Sequence, residues 1–341
     1  ARTAASAGAT VLNHAEVTGL QRGDGLSTLD VTDRLTGRRH TVRARCVVNA
    51  TGVWVDALRE AGGTPSHMVS PSQGVHLVVD RDFMPGDHAL LVPRTRDGRV
   101  LFAVPWLGKL ILGTTDTPRR DLAREPRPFE EELEFILGEA SRALSRPVRR
   151  ADVRSVWVGL RPLVAAPATG AGGTQALSRE HTIVVDGNAM LTVTGGKWTT
   201  YRAMAEDVMQ HLFDAGLLPR RAGGATLRHA LHGAPAQADT PIQAAPGAHI
   251  FGDDIVAIRS LPGADRVIGM GLTEAMVRFM VRHEYAHTVE DVLARRWRAL
   301  FLDAQEAARM APLVARLLSE EGVADPALES FVSLTHQYGL G

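Results

Sequence analysis

Thr194-Gly195-Gly196-Lys197-Trp198-Thr199-Thr200-Tyr201-Arg202 decides how the rest of the chain is read. The apolar run before it, Ala189 to Val193, predicts a strand. A helix is predicted from about Thr199, where Met204, Val208 and Leu212 recur at i, i+4 and i+8 as one apolar stripe. Two glycines let backbone N–H groups approach a ligand with no Cβ in the way, and a helix start adds about half a positive charge. The stretch therefore predicts an anion-facing half-site, although an ordinary strand-to-helix turn can carry the same residues. A Walker A loop is excluded, because that pattern needs glycine where Leu191 stands and Ser or Thr where Trp198 stands.

The 341 residues predict two or three domains, since single cores seldom persist beyond about 250–300 residues. The chain is 45% hydrophobic and 22% charged, and its 38 basic residues balance 38 acidic ones, so the overall charge gives no reason to expect a nucleic-acid partner. Cys46 is the single cysteine, which rules out an intrachain disulfide and fits a reducing compartment. Within its apolar run it reads as a buried strand residue rather than a reactive thiol. No apolar run reaches the roughly 18–20 residues of a membrane span. The sequence begins at Ala1 without Met, and Ala5-Ser6-Ala7-Gly8-Ala9-Thr10-Val11-Leu12 reads as the end of a helix entering a strand, so an N-terminal part is expected to be absent.

Three textures follow one another. From Thr10 to Gly63 short strands alternate with polar turns, and Cys46 to Ala50 leads through Thr51-Gly52 into a helix over Trp54 to Ala61. From Gln73 to Asp116 four runs (Val75–Val79, Ala89–Val92, Val100–Val104, Leu110–Leu112) are separated by Asp97-Gly98 and Leu107-Gly108, which predicts an antiparallel meander. A helix after Pro128 carries Leu133, Leu137, Ala140 and Leu144, and Val153 to Leu160 reads as another strand. Residues 220–246, rich in Ala, Gly, Pro and His, read as a linker. Beyond it, helices are predicted over Glu274–His287, Val289–Asp303 and Ala304–Ser319.

Several ordered stretches together resemble the FAD-dependent glycerol-3-phosphate dehydrogenases. Val47-Val48-Asn49-Ala50-Thr51-Gly52-Val53-Trp54-Val55-Asp56 is similar to the family's strand and turn beside the flavin, with Val53 where Pro is usual. Ser72-Gln73-Gly74-Val75-His76 is similar to its Lys-Gly-x-His strand, with Gln73 in place of Lys. Phe102 to Trp106, Leu112 to Thr117, Gly159-Leu160-Arg161-Pro162-Leu163, Ser178 to Thr182 and the Gly-Gly-Lys corner follow in the family's order, as does Glu284 to Arg296 in the tail. The resemblance covers nearly the whole chain, but the family's opening Gly-x-Gly-x-x-Gly unit, which holds the FAD pyrophosphate, has no counterpart here.

The resemblance implies α/β plus α+β architecture. A partial FAD/NAD(P)-binding-type, Rossmann-like domain would comprise residues 1–64 and 186–219, an antiparallel-sheet substrate domain residues 65–185, and an all-helical C-terminal domain residues 247–341. It also implies that sn-glycerol 3-phosphate is oxidised to dihydroxyacetone phosphate, with hydride to FAD N5 and electrons on to quinone. The implied setting is cytoplasmic, peripheral on the inner face of the cell membrane, and a homodimer is compatible with it. Such a reaction needs a base for the hydroxyl proton, a hydride acceptor and a cationic grip on phosphate. Arg161, whose planar fork suits two phosphate oxygens, is the first candidate for that grip and Arg179 the second. His76 is the candidate base. Lys197 is expected near substrate oxygen or the flavin edge, where negative charge grows on reduction. Thr51, Gly52, Gly195, Gly196, Lys197, Trp198 and Thr199 are the expected cofactor contacts, with Thr199 equally readable as a helix cap. Asp116 reads as a turn residue.

Two other readings compete. His283-Glu284-Tyr285-Ala286-His287 fits the His-Glu-x-x-His pattern of zinc peptidases, and on a helix the two histidines would share one face. Where one common continuation expects Gly and His, however, Glu290 and Leu293 stand, and a chain with 13 histidines meets short patterns by chance. No metal is expected. The third reading is a non-catalytic module that packs against a partner carrying the FAD half.

Overall fold

The computed structural model describes residues 1–23, 25–165, 180–186, 189–237 and 239–340. A short helix α1 (Arg2–Ser6) leads into a three-stranded antiparallel sheet of β1 (Ala15–Arg22), β2 (Ser27–Asp33) and β3 (Arg39–Ala44). β4 (Val47–Asn49) then passes through a 3-10 turn over Gly52–Trp54 into α2 (Val55–Ala61). Asp56 ties this helix to the next strand by accepting from Ser66 Oγ and from the N–H groups of Met68 (2.8 Å) and Val69 (3.3 Å).

The meander is present and longer than expected. β5 (Val69–Asp80), β6 (Leu90–Val92), β7 (Leu101–Trp106), β8 (Lys109–Gly113), β9 (Thr117–Pro118) and β10 (Val153–Val164) form one antiparallel sheet in the order β10-β5-β8-β7-β6, with β9 also on β5. Alternation along β5 sends Val75, Leu77 and Val79 to one face. There they are fully buried with Leu133, Ile136 and Ala140 of α3 (Glu130–Ala143). The Glu132 carboxylate caps α3 by accepting from Phe129 N–H at 2.9 Å. Gly74 and His76 face the other side.

β11 (His181–Asp186) does not join this sheet, although residues up to 185 were expected to belong with it. It pairs with β12 (Met190–Gly195), which in turn runs parallel to β4. Beneath this small sheet Arg59 is buried, donating to Thr192 Oγ1 (3.2 Å) and pairing with Asp186 at 3.0 Å. Cys46 lies just before β4 and is half-buried rather than buried; burial pushes its thiol up. After the corner, α4 (Tyr201–Asp214) buries Val208 and Leu212 as the stripe predicts.

The 220–246 segment docks on the β7–β8 hairpin, where Leu107 and Gly108 donate their N–H groups to the carbonyls of Ile242 (3.0 Å) and Gln243 (2.9 Å). The C-terminal region contains α5 (Ile255–Arg259), α6 (Glu274–His283), α7 (Ala299–Leu302), α8 (Ala304–Glu320) and α9 (Leu328–Tyr338), with a π-helical turn over Asp291–Arg296. It is not wholly helical, since Val267–Gly269 and Leu272–Thr273 pair as a hairpin. Its core gathers Phe279, Trp297 and Phe331. It covers β10, where Ser155 Oγ donates to the Leu300 carbonyl at 2.7 Å. Among the described residues no helix is long and apolar enough to cross a membrane.

Candidate active site

Register builds the site. β10 lies against β5 with Trp157 opposite His76, Gly159 opposite Gly74 and Arg161 opposite Ser72, so these six residues share one face of the sheet. The two glycines leave a floor without side chains between the His76–Trp157 pair and Arg161. Arg161 lies over that floor, and a Cβ at Gly74 would fall inside its guanidinium. Its Nη2 donates to Thr114 Oγ1 at 3.0 Å and its Nη1 is 3.7 Å from Asp116 Oδ1. Asp116 also accepts from Ser72 Oγ, so it helps to place the guanidinium instead of acting as the turn residue expected. β10 continues to Val164, which puts Arg161 within the strand and not at its end.

The His76 imidazole stacks on Trp157, with ring centres 4.2 Å apart and planes 19° apart. On its other flank Gly113 is required, because a Cβ there would lie 2.6 Å from His76 Cδ2. Burial first, and the positive charge of Arg161 second, push the imidazole down to about 4. His76 is therefore neutral near pH 7, as a proton acceptor must be, but in the absence of an anion it is a weaker base than an exposed histidine. Gln73 points the opposite way, donating to Glu132 of α3 and accepting from Arg119, so its departure from the Lys pattern lies in the packing beneath the sheet.

At the corner, both glycines adopt left-handed backbone, with φ of 74° at Gly195 and 73° at Gly196. A Cβ at Gly195 would meet the Glu180 carbonyl oxygen at 2.6 Å, and one at Gly196 would meet Met204 Sδ at 2.6 Å. Trp198–Thr200 form a 3-10 turn before α4 begins at Tyr201, two residues later than expected. Thr199 makes no capping bond; instead Thr200 Oγ1 donates to Lys197 O at 3.0 Å. Trp198 is 87% exposed and stacks on Tyr201 at 5.5 Å.

Arg161, Gly195, Gly196, Lys197 and Trp198 line one cleft of about 770 Å³. Gly52, with φ of 64°, opens the 3-10 turn that packs against β10 and β12, and Thr51 Oγ1 donates to the buried Asn49 at 2.7 Å. Thr51, Gly52, Thr199 and His76 do not line the cleft itself. Arg179 lies outside the described residues. A larger cleft of about 970 Å³, between the β1–β3 sheet and the C-terminal helices, contains none of the predicted flavin or substrate residues, so the smaller one is the candidate site.

The zinc reading fails on backbone geometry. α6 ends at His283, Glu284 leaves helical conformation and Tyr285 has φ of 59°, so His283 and His287 do not share a helix face. No cluster of three or more metal-ligating side chains occurs among the described residues.

The pattern of the family described as FAD dependent oxidoreductase matches residues 1–202, and that of the C-terminal domain of alpha-glycerophosphate oxidase matches residues 248–327. The chain belongs to the FAD dependent oxidoreductase family. Its relatives include the mitochondrial glycerol-3-phosphate dehydrogenase SDP6 of Arabidopsis thaliana, 36% identical over 94% of this chain and 56% of that protein. The human mitochondrial glycerol-3-phosphate dehydrogenase is 36% identical over 94% of this chain and 48% of its own length. The chain thus spans about half the length of these curated relatives. Among solved structures, the glycerol-3-phosphate dehydrogenase from Bacillus halodurans complexed with FAD superposes with a TM-score of 0.79 at 26% identity, over 98% of this chain and 70% of that one.

Within this family member, sequence reasoning missed three contributors: Trp157, which stacks on the imidazole; Gly113, which makes room for it; and Thr114, which accepts from Arg161. The signal available for the first was the spacing of Trp157, Gly159 and Arg161, which matches His76, Gly74 and Ser72 residue for residue across two antiparallel strands.

Proposed function

We propose that the protein carrying this chain oxidises sn-glycerol 3-phosphate to dihydroxyacetone phosphate. The observation that carries this reading is the single cleft in which Arg161 faces the left-handed di-glycine corner. The residues present suit a flavin: beside the di-glycine corner the cleft offers an exposed aromatic face at Trp198 and a cation at Lys197. Gly195, Gly196, Lys197, Trp198 and Thr199, with Thr51 and Gly52, would hold FAD. FAD, when bound, supplies the hydride acceptor.

The protein's own groups do the rest. The Arg161 fork takes the phosphate dianion, which offsets the second of the two causes that depress His76, after burial. Substrate binding thereby strengthens the base that receives the C2 hydroxyl proton as hydride leaves C2. Arg179 is the proposed second phosphate ligand. Lys197, exposed at the cleft mouth, offsets negative charge as it develops on reduction. Quinone as electron acceptor, a peripheral position on the cytoplasmic face of a membrane, and a homodimer belong to the same proposal. So does the division of labour in which the sheet of β5 to β10 holds substrate and residues 247–341 form a covering module joined by 220–246. The decisive experiment is dye reduction by the FAD-loaded protein with sn-glycerol 3-phosphate and with glycerol. Turnover confined to the phosphate ester is expected, and a yellow, FAD-replete protein inert to both overturns the reading.

A further inference from the structure

The His76 imidazole makes no hydrogen bond to a described residue, and its buried Nδ1 has no partner among them. Packing alone therefore orients the ring. Trp157 stacks on it at 4.2 Å, Phe301 stands edge-on behind Trp157 at 5.8 Å, and Tyr338 stands edge-on behind Phe301 at 5.6 Å. Phe301 belongs to α7 and Tyr338 to α9, so an aromatic file runs from the C-terminal helices to the candidate base. The same helices grip the strand two residues away, where Ser155 donates to Leu300 O. The Trp157 indole N–H is buried and finds no acceptor among the described residues. What Trp157 presents to the imidazole is the face of its ring.

We propose that Trp157 is the positioning residue for His76: its indole, braced by Phe301, fixes the imidazole plane against the Gly74–Gly159 floor so that the ring addresses a substrate anchored at Arg161. The inference rests on the reading of His76 as the base, and it gives the C-terminal helical region a role in the chemistry of a site it does not line. The charged group that bears on His76 is Arg161, from the same strand as Trp157, and Asp116 stands 3.7 Å beyond that guanidinium.

The test uses the FAD-loaded protein and two independent readouts: steady-state kinetics, and the rate at which His76 is carbethoxylated by diethyl pyrocarbonate, followed by peptide mass spectrometry. Trp157→Leu removes the stack and should lower kcat about tenfold or more while KM stays within about threefold, because misorientation costs rate and Arg161 is untouched. His76 labelling should rise several-fold in the same variant. Trp157→Phe keeps a ring face and should restore both readouts to near wild-type. Phe301→Ala, which withdraws the brace without altering β10, should move both in the direction of Trp157→Leu. Wild-type kcat and wild-type labelling in a folded Trp157→Leu protein would overturn the proposal, as would failure of Trp157→Phe to restore them. Unchanged turnover in His76→Asn would instead overturn the base assignment, and with it the catalytic half of the inference.

Discussion

The Gly195-Gly196-Lys197 corner and the His283-Glu284-x-x-His287 stretch are equally sharp as written patterns, yet only the first keeps in three dimensions the geometry its pattern promises. At the corner, the residues in left-handed conformation are glycines, and the space their absent side chains leave is taken up by the Glu180 carbonyl and Met204. In the tail, the left-handed residue is Tyr285, inside the pattern, and it turns the chain out of the helix that would have aligned the histidines. A motif is evidence of a site only where the backbone dihedrals it needs are those its residues adopt.

The most severe way to break the comparison is Gly195→Ala. A Cβ there combines left-handed strain with a clash against backbone that cannot step aside, so a loss of about 2–4 kcal/mol in denaturant unfolding is expected, with loss of bound flavin. A stable, yellow Gly195→Ala protein would place the corner on a par with the tail. Next comes Arg161→Ala, which leaves the corner intact and removes the phosphate grip. KM for sn-glycerol 3-phosphate should rise by about 10- to 100-fold, the value of a charge-assisted contact. An unaltered KM would remove Arg161 from the phosphate site.

Acidification probes the sheet face beside Arg161, where His76 lies. His76 sits near 4 in the folded protein and near its ordinary value of 6.5 when unfolded. Between those values the unfolded chain binds more protons, so stability must fall as pH drops from 6.5 towards 4. His76→Asn should flatten that part of the pH–stability curve by on the order of 1–2 kcal/mol, allowing for partial exposure of the ring. An unchanged curve in the variant would show that His76 is not depressed. The mildest effect belongs to the tail, where His287→Ala should leave flavin content and turnover within about twofold and bound zinc at background. Stoichiometric zinc in the wild-type protein, lost in this variant, would restore the rejected reading.

Much of the frame was legible because it depends on local pattern. Alternating apolar residues placed β5, β7 and β8, and the stripe of Met204, Val208 and Leu212 placed α4. Leu107-Gly108, both with positive φ, made the tight hairpin expected of them. The nearness of Arg161 to the corner was implied by family resemblance and is borne by the cleft they share. What stayed hidden was decided by partners distant in sequence. The helix predicted through His287 stops at His283 because Arg296 donates to the Glu284 carbonyl and Asn13 takes the Tyr285 carbonyl at 2.7 Å. Asp291 accepts the N–H of His287 at 3.0 Å and of Thr288 at 3.1 Å. α9 carries an apolar face that was not recognised, and it buries Phe331 and Leu334 in the C-terminal core.

The sequence by itself determined the meander strands, the helix after the corner and the glycines that the Gly195-Gly196 turn requires, because periodicity and glycine's freedom act within a few residues. Only the tertiary structure decided that Trp157 lies on His76, that Arg161 rests over Gly74, and that the tail's histidines part. Strand register and captured carbonyls join residues tens to hundreds of positions apart, and no local preference encodes which of them will meet.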